Sequence, residues 1–336
     1  MGRPQKRRDA RAKVTGRAIY AGDERLPGML YAKVLRPPAH GATQKGVDTA
    51  AAARMPGVVV VNEGGLVAVL HADPEIAEKA LAAVKADFEV PKAPFDDETV
   101  FDHLVSSGGD GEEHETKGDL AAGEKGSAST FTGEYRNGYG AHAPIETHTA
   151  LARLEGGKMT VWASTQTPFP NQQAIAQAVG LAKENVRVIT PFVGGGFGGK
   201  SGGGLQAIEA AKLAKATGRP VQVSWSRAEE FFLDAFRPAA VVKIRSGIDG
   251  EGKICLWDYQ VWAAGSRGAE QFYDVPNNRM RTYGRWGSDT PRMHLFATGP
   301  WRAPGANVNV FARESQVDTM AAKARVDPLE FRLRNT

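Results

Sequence analysis

The residues best placed to do chemistry form one glycine-rich loop, Gly194-Gly195-Gly196-Phe197-Gly198-Gly199-Lys200-Ser201-Gly202-Gly203-Gly204. Only glycine lets backbone N–H groups crowd an anion without a Cβ in the way. The run from Leu205 to Thr217 reads as a helix, and a loop that opens a helix adds that helix's unpaired donors and its positive end. The stretch therefore reads as a cradle for phosphate, pyrophosphate or another oxyanion. Gly194 to Ser201 also satisfy the pattern G-x-x-x-x-G-K-[ST], in which glycine amides and a lysine hold nucleotide phosphates. A flexible surface loop is the plainer alternative. The β-branched run Val186-Arg187-Val188-Ile189-Thr190 before it and the helix after it argue for a built site.

Other elements must position that loop. The chain has 336 residues, which suggests roughly two domains, and 42% are hydrophobic, enough for real cores. Residues 1–13 are a basic arm with Arg3, Lys6, Arg7, Arg8, Arg11 and Lys13. Residues 14–90 read as a small α+β domain. It has a strand over Met29 to Leu35, and a hairpin of Val58 to Val61 and Leu66 to Leu70 around Gly64-Gly65. A helix capped by Asp73, with Pro74 at its first position, runs to about Ala86. Residues 91–130 are poor in apolar side chains and read as a linker, in which the acidic stretch around His114 is a solvated run rather than a metal site.

A second domain is expected over 131–336. Arg153 to Trp162 reads as two strands turning at Gly156-Gly157, and Asn171 as the cap of a short helix ending at Gly180. After the loop and its helix, Val221 to Trp225 and Val242 to Arg245 alternate, and Asp249-Gly250-Glu251-Gly252 turns the chain into Ile254 to Val261. The order is βαβ around the loop, then an antiparallel meander.

Composition excludes several classes. The net charge of +4 comes without basic runs interleaved with aromatics, so nucleic acid is not an expected partner. A single cysteine, Cys255, leaves no disulfide framework, iron–sulfur cluster or cysteine-built zinc site to this chain alone. No apolar run is long enough to cross a membrane. Arg7-Arg8 is followed by no apolar core, which argues against export and makes the cytoplasm the expected location.

A nucleotide hydrolase would also need an acidic residue closing a buried parallel strand to hold magnesium. Ile254-Cys255-Leu256-Trp257-Asp258 offers one, but it follows a tight turn and reads as one arm of an antiparallel hairpin.

Several motifs, taken in order, point elsewhere. Ala12-Lys13-Val14-Thr15-Gly16-Arg17-Ala18-Ile19-Tyr20, His142-Ala143-Pro144-Ile145-Glu146-Thr147-His148 and Trp162-Ala163-Ser164-Thr165-Gln166-Thr167-Pro168 come first. Pro191-Phe192-Val193 leads into GGGFGGK, and Phe236-Arg237-Pro238, Gly299-Pro300-Trp301-Arg302-Ala303-Pro304-Gly305 and Asp327-Pro328-Leu329-Glu330-Phe331-Arg332-Leu333-Arg334 follow. Together they resemble the N-terminal half of the molybdopterin-binding large subunit of the xanthine dehydrogenase and aldehyde oxidase family.

The resemblance implies an α+β fold: an N-terminal α/β hammerhead domain, then the first part of a mixed α/β molybdopterin-binding domain. It implies molybdopterin, as its cytosine dinucleotide, carrying molybdenum, with the metal held through the pterin and not by side chains. Gln166 matches the glutamine beside the metal ligands and the pterin. Gly195, Gly196, Phe197, Gly198 and Gly199 match the loop that approaches the metal, the Gly198 N–H donating to an oxygen ligand. Arg302 matches the arginine near the substrate pocket. A guanidinium there would stabilise negative charge developing on the substrate.

The family reaction is hydroxylation of an aldehyde or N-heteroaromatic with water as oxygen source and a glutamate as general base. That glutamate lies in a Gly-x-Gly-Glu motif beyond the stretch matched here. Gly109-Asp110-Gly111-Glu112 is at the wrong end of the chain. The resemblance thus implies a split enzyme: a second molybdopterin-binding chain supplies the glutamate, a 2Fe-2S subunit takes the electrons, and an FAD subunit passes them on. Ser201 and Pro304 stand where purine-oxidising relatives carry a glutamate and an aromatic, which argues against xanthine. The carbon monoxide branch carries a loop cysteine, and this loop has none. Two alternatives remain, a nucleotide-binding protein of the phosphate-loop kind and a non-catalytic assembly or cofactor-handling subunit.

Overall fold

The computed structural model describes residues 2–285 and 293–336. In chain order the first stretch carries α1 (Ala10–Val14), β1 (Leu30–Val34), β2 (Thr43–Asp48), α2 (Ala50–Ala53), β3 (Val59–Glu63), β4 (Leu66–His71), α3 (Pro74–Ala82) and β5 (Lys85–Glu89). Then come α4 (Val100–Ser106), β6 (Glu112–Lys117), α5 (Leu120–Gly126) and β7 (Ser129–Asn137). The middle holds β8 (Thr149–Glu155), β9 (Lys158–Ala163), α6 (Pro168–Val179), β10 (Val186–Ile189), α7 (Leu205–Thr217), β11 (Val221–Ser224) and α8 (Arg227–Leu233). The last stretch holds β12 (Ala240–Ile248), β13 (Ile254–Trp262), β14 (Asn278–Tyr283), α9 (Ala306–Ala324) and α10 (Pro328–Arg334).

The chain forms two compact units, each from two segments: Met1–Pro91 with Ala143–Asp234, and Lys92–His142 with Ala235–Thr336. These units divide the chain differently from the boundaries expected from sequence. Strands β1, β3 and β4 of the expected first domain share a sheet with β8 to β11, because β1 runs parallel to β11, while β2 and β5 pair as a separate two-stranded sheet. The α+β class stands.

The first unit is built on a seven-stranded sheet, order β10-β9-β8-β11-β1-β4-β3 among the described residues. Gly64-Gly65 and Gly156-Gly157 make the two expected hairpins, all four glycines at positive φ as two-residue turns between twisted strands require. Gln222 is buried as well as Val221 and Val223, since a central strand is covered on both faces and loses its alternation. α7 buries Ala207, Ala210, Ala211, Leu213 and Ala214 against β8 and β11. Small side chains let the helix approach closely, and its C-cap Gly218 sits in the left-handed region.

Two helix readings are corrected. α3 is capped by Asp73, which accepts from the Glu75 amide at 2.8 Å, but it ends at Ala82. Lys85 to Glu89 instead alternates and pairs with β2. The N-cap of α6 is Thr167; Asn171 is fully buried inside the helix, where its Nδ2 donates to the carbonyls of Thr167 and Gly202 at 3.1 Å.

The second unit has a five-stranded sheet, order β6-β14-β13-β12-β7, with α9 against β12 and β7. Trp257, Tyr259, Val317, Met320 and Phe331 form its core. The expected linker at 91–130 supplies α4, β6 and α5 to this unit. β6 is an exposed edge strand whose backbone pairs with β14, so it needs few apolar residues. Within α4, Val100 and Leu104 are buried. His114 lies on β6, its ring 2.8 Å from the Thr282 hydroxyl. As expected, β12 and β13 form an antiparallel hairpin, and Asp258 is held by Arg279 at 2.9 and 2.8 Å. Among the described residues no helix is long and apolar enough to cross a membrane.

Candidate cofactor-binding site

The glycine loop lies in the first unit, between the end of β10 and the start of α7, as expected. It is joined to the segment just after β9, whose residues Thr165 and Gln166 share hydrogen bonds with the loop. The Gln166 amide donates to the Lys200 carbonyl at 2.8 Å, and the Thr165 hydroxyl donates to the same oxygen at 3.2 Å. In the other direction the Gly198 N–H donates to Gln166 Oε1 at 3.0 Å. Gln166 and the loop are therefore brought together. The Gly198 amide is satisfied by Gln166, not left open toward a ligand as the resemblance implied.

Glycine is required here for two reasons. Gly195 and Gly198 have φ of 100° and 114°, backbone that L side chains rarely adopt. A Cβ on Gly196 would overlap the Gln166 side-chain amide, and one on Gly204 would overlap Asn171. Part of the glycine content thus serves the protein's own packing. The unpartnered part is half-buried Gly195 and buried Gly196, whose amides meet no protein acceptor among the described residues. Gly199 closes the turn by donating to Gly196 O at 2.8 Å. Phe197, at φ 54° and 45% exposed, holds a strained conformation at the loop tip. Such strain costs of order 1 kcal/mol and is typical of functional loops. These donors and this exposed tip fit an anionic cofactor held mainly by backbone.

Lys200 does not behave as a nucleotide lysine. Its side chain is fully buried, and Nζ donates to both Glu146 Oε2 and the Glu146 carbonyl at 2.8 Å. Burial pushes the ammonium below its ordinary value, against the pull of Glu146, Glu230 and Asp234. Ser201 is also turned inward, its hydroxyl donating to the Gly198 carbonyl. Neither residue is available to phosphate or magnesium, which overturns the phosphate-loop reading.

Beside this pair, Glu230 is 1% exposed and accepts from the His148 backbone at 2.8 Å and lies 3.1 Å from its ring. Burial pushes the Glu230 carboxyl upward, but the His148 contacts outweigh it and hold it below the usual range. Glu146, His148 and Glu230 were not singled out from sequence. The one available signal was the His142 to His148 motif itself, whose single acid is Glu146.

Arg302 belongs to the second unit. Its loop is pinned there: the Trp301 indole donates to Ala141 O at 3.1 Å, His142 Nε2 donates to Pro300 O at 2.8 Å, and the Gly299 amide donates to Phe236 O at 2.8 Å. Ala303 and Gly305 follow at φ 56° and 72°, turning the chain into α9. The Arg302 guanidinium lies 5.1 Å from the Trp301 ring centre.

The family described as "Molybdopterin cofactor-binding domain" matches residues 108–336. The aldehyde oxidoreductase molybdenum-binding subunit PaoC of Escherichia coli O157:H7 is 29% identical over all of this chain and 50% of its own length. The isoquinoline 1-oxidoreductase subunit beta of Brevundimonas diminuta is 28% identical over 99% of this chain and 46% of its own. The chain spans about half the length of these curated relatives. Two solved structures share the fold. Quinoline 2-oxidoreductase from Pseudomonas putida 86 has a TM-score of 0.81 at 23% identity, over 98% of this chain and 49% of its own. The aldehyde oxidoreductase from Desulfovibrio gigas has 0.82 at 24%, over 98% and 43%. The family match agrees with the motif order read along the sequence, and the chain belongs to the molybdopterin cofactor-binding domain family.

Proposed function

We propose that this chain is the cofactor-binding, N-terminal half of the catalytic subunit of a molybdenum hydroxylase, acting on an aldehyde or N-heteroaromatic substrate. The observation that carries this reading is the loop itself, whose Gly195 and Gly196 amides are unpartnered beside an exposed Gln166 while its lysine is buried. When bound, the molybdenum centre accepts two electrons from the substrate while water supplies the oxygen.

This chain's own residues would act around it. The Gly195 and Gly196 amides hold negative charge on the cofactor. Gln166, its carbonyl engaged by Gly198, offers its NH2 as an oriented donor. Arg302 supplies positive charge to the substrate as electron density builds. The general base is expected on a second molybdopterin-binding chain with a Gly-x-Gly-Glu motif, worth about 10²–10⁴ in rate. The cofactor form is the cytosine dinucleotide. Electrons leave through a 2Fe-2S subunit and an FAD subunit, in the cytoplasm. Ser201 and Pro304, standing where purine-oxidising relatives carry a glutamate and an aromatic, support a substrate other than xanthine.

The test is native purification, mass spectrometry of every copurifying chain, and turnover with aldehydes and N-heteroaromatics in ¹⁸O-labelled water. Copurification of a Gly-x-Gly-Glu chain and label in the product support the proposal. Cofactor bound with no partner and no turnover would support a cofactor-handling role in its place.

A further inference from the structure

We propose that Glu146 is a positioning residue that clips the glycine loop shut at both ends, presetting its amides for the anionic cofactor. The inference rests on the cofactor reading above. At the loop's first residue, the Gly194 amide donates to Glu146 Oε2 at 2.7 Å, and the Glu146 amide donates back to Gly194 O at 3.2 Å. At the loop's last turn, Lys200 Nζ donates to the same Oε2 and to the Glu146 carbonyl, both at 2.8 Å. One carboxylate oxygen thus binds residues on either side of Gly195 to Gly199, the stretch that carries the unpartnered donors.

The physical need is clear. Ordering backbone costs conformational entropy, and glycine loses the most. A loop of this composition, tied only at its flanking elements, would spread over many conformations, and a ligand would have to order it on binding. Glu146 shortens the free span to the residues between two fixed points. Gly194 is required for this contact, since a Cβ there would overlap the Glu146 side chain. The Lys200 carbonyl is held independently by Thr165 and Gln166, so the clip joins three segments: 142–148, the segment just after β9, and the loop.

A buried ion pair that merely satisfies its own charges would look the same in a melting curve. The full-length chain should therefore be compared as wild type, Glu146→Gln, Lys200→Met and the double variant Glu146→Gln/Lys200→Met, by melting temperature, hydrogen exchange and molybdenum retained through gel filtration. The double variant removes both charges of this pair and leaves neither uncompensated, so it is expected to recover most of the melting temperature lost by either single change. Its peptides over 191–204 are nonetheless expected to exchange about tenfold faster or more, with β12–β13 peptides unchanged. Molybdenum per chain is expected to fall about threefold or more, in line with lost preorganisation. Wild-type exchange in the loop of the double variant overturns the proposal. If the wild-type chain holds no molybdenum, the cofactor reading fails, and loop exchange alone then decides for or against the clip.

Discussion

The side-chain carbonyl of Gln166 accepts the Gly198 N–H at 3.0 Å, joining the segment just after β9 to the tip of the glycine loop. This bond leaves the amide NH2 of an exposed side chain as a donor of set orientation. Gln166→Ala removes both the loop contact and that donor. Loss of a group supporting a metal centre typically costs 10–100-fold in affinity or activity. We expect a loss of about that size in turnover of the cofactor-loaded enzyme, with the melting temperature nearly unchanged. Steady-state kinetics beside calorimetry checks both parts.

The loop glycines separate into two classes by what a Cβ would meet. At Gly204 a Cβ would overlap Asn171, a buried side chain fixed by its bonds to Thr167 and Gly202, on backbone at φ 70°. Gly204→Ala is therefore expected to destabilise by about 1–3 kcal/mol. At Gly196 the obstacle is the end of the exposed Gln166 side chain, which can move aside by giving up its bond from the Gly198 amide. Gly196→Ala is expected to fold nearly as well as wild type and to impair the cofactor site. Denaturant titration of the two variants tests the difference.

Glu230 is almost wholly buried with His148, and its folded carboxyl titrates below the ordinary value of 4.5. A depressed carboxyl stabilises the fold above the unfolded value and loses that contribution as pH falls through the folded one. Acid unfolding should thus gain a component below pH 4.5. Glu230→Gln removes this component and deprives the His148 ring and backbone of their buried acceptor, at a cost of about 1–3 kcal/mol at neutral pH. Denaturant melts across the acid range provide the check.

In the second unit His294 Nδ1 lies 2.8 Å from the Tyr139 hydroxyl, and its Nε2 is buried with no partner among the described residues. Burial, with help from nearby His103, pushes its pKa down from 6.5 to about 4. The ring is thus neutral in the fold, and protonation favours the unfolded chain. Its contribution is complete above pH 6.5 and falls as pH drops toward about 4. The loss is at most about 3 kcal/mol. His294→Asn should flatten the stability profile in that window while leaving its slope at lower pH.

Local signals were legible where local chemistry decides. The Gly64-Gly65 and Gly156-Gly157 turns, the Asp73-Pro74 helix start, and the strand–loop–helix order around Gly194 to Gly204 all follow from residues adjacent in the chain. Residues 91–130 were illegible because β6 takes its stability from backbone pairing with β14, far along the sequence. Lys85 to Glu89 was obscured by the alanine-rich helix before it. The site shows the same division. Gln166 and the loop are found by motif, but Lys200 is misread by motif, since its partner Glu146 lies fifty-four residues away and only the fold brings them within 2.8 Å.

The central claim is that the unpartnered amides of this loop hold a molybdenum cofactor. The most direct test is to express the full chain in a host that makes the cofactor, purify it, and measure molybdenum by mass spectrometry and the pterin by its fluorescent oxidation product. The account predicts molybdenum and pterin in equal amounts, bound to the wild-type chain or its complex and diminished in Gln166→Ala. A folded chain that carries neither, alone or with its copurifying partners, would contradict it.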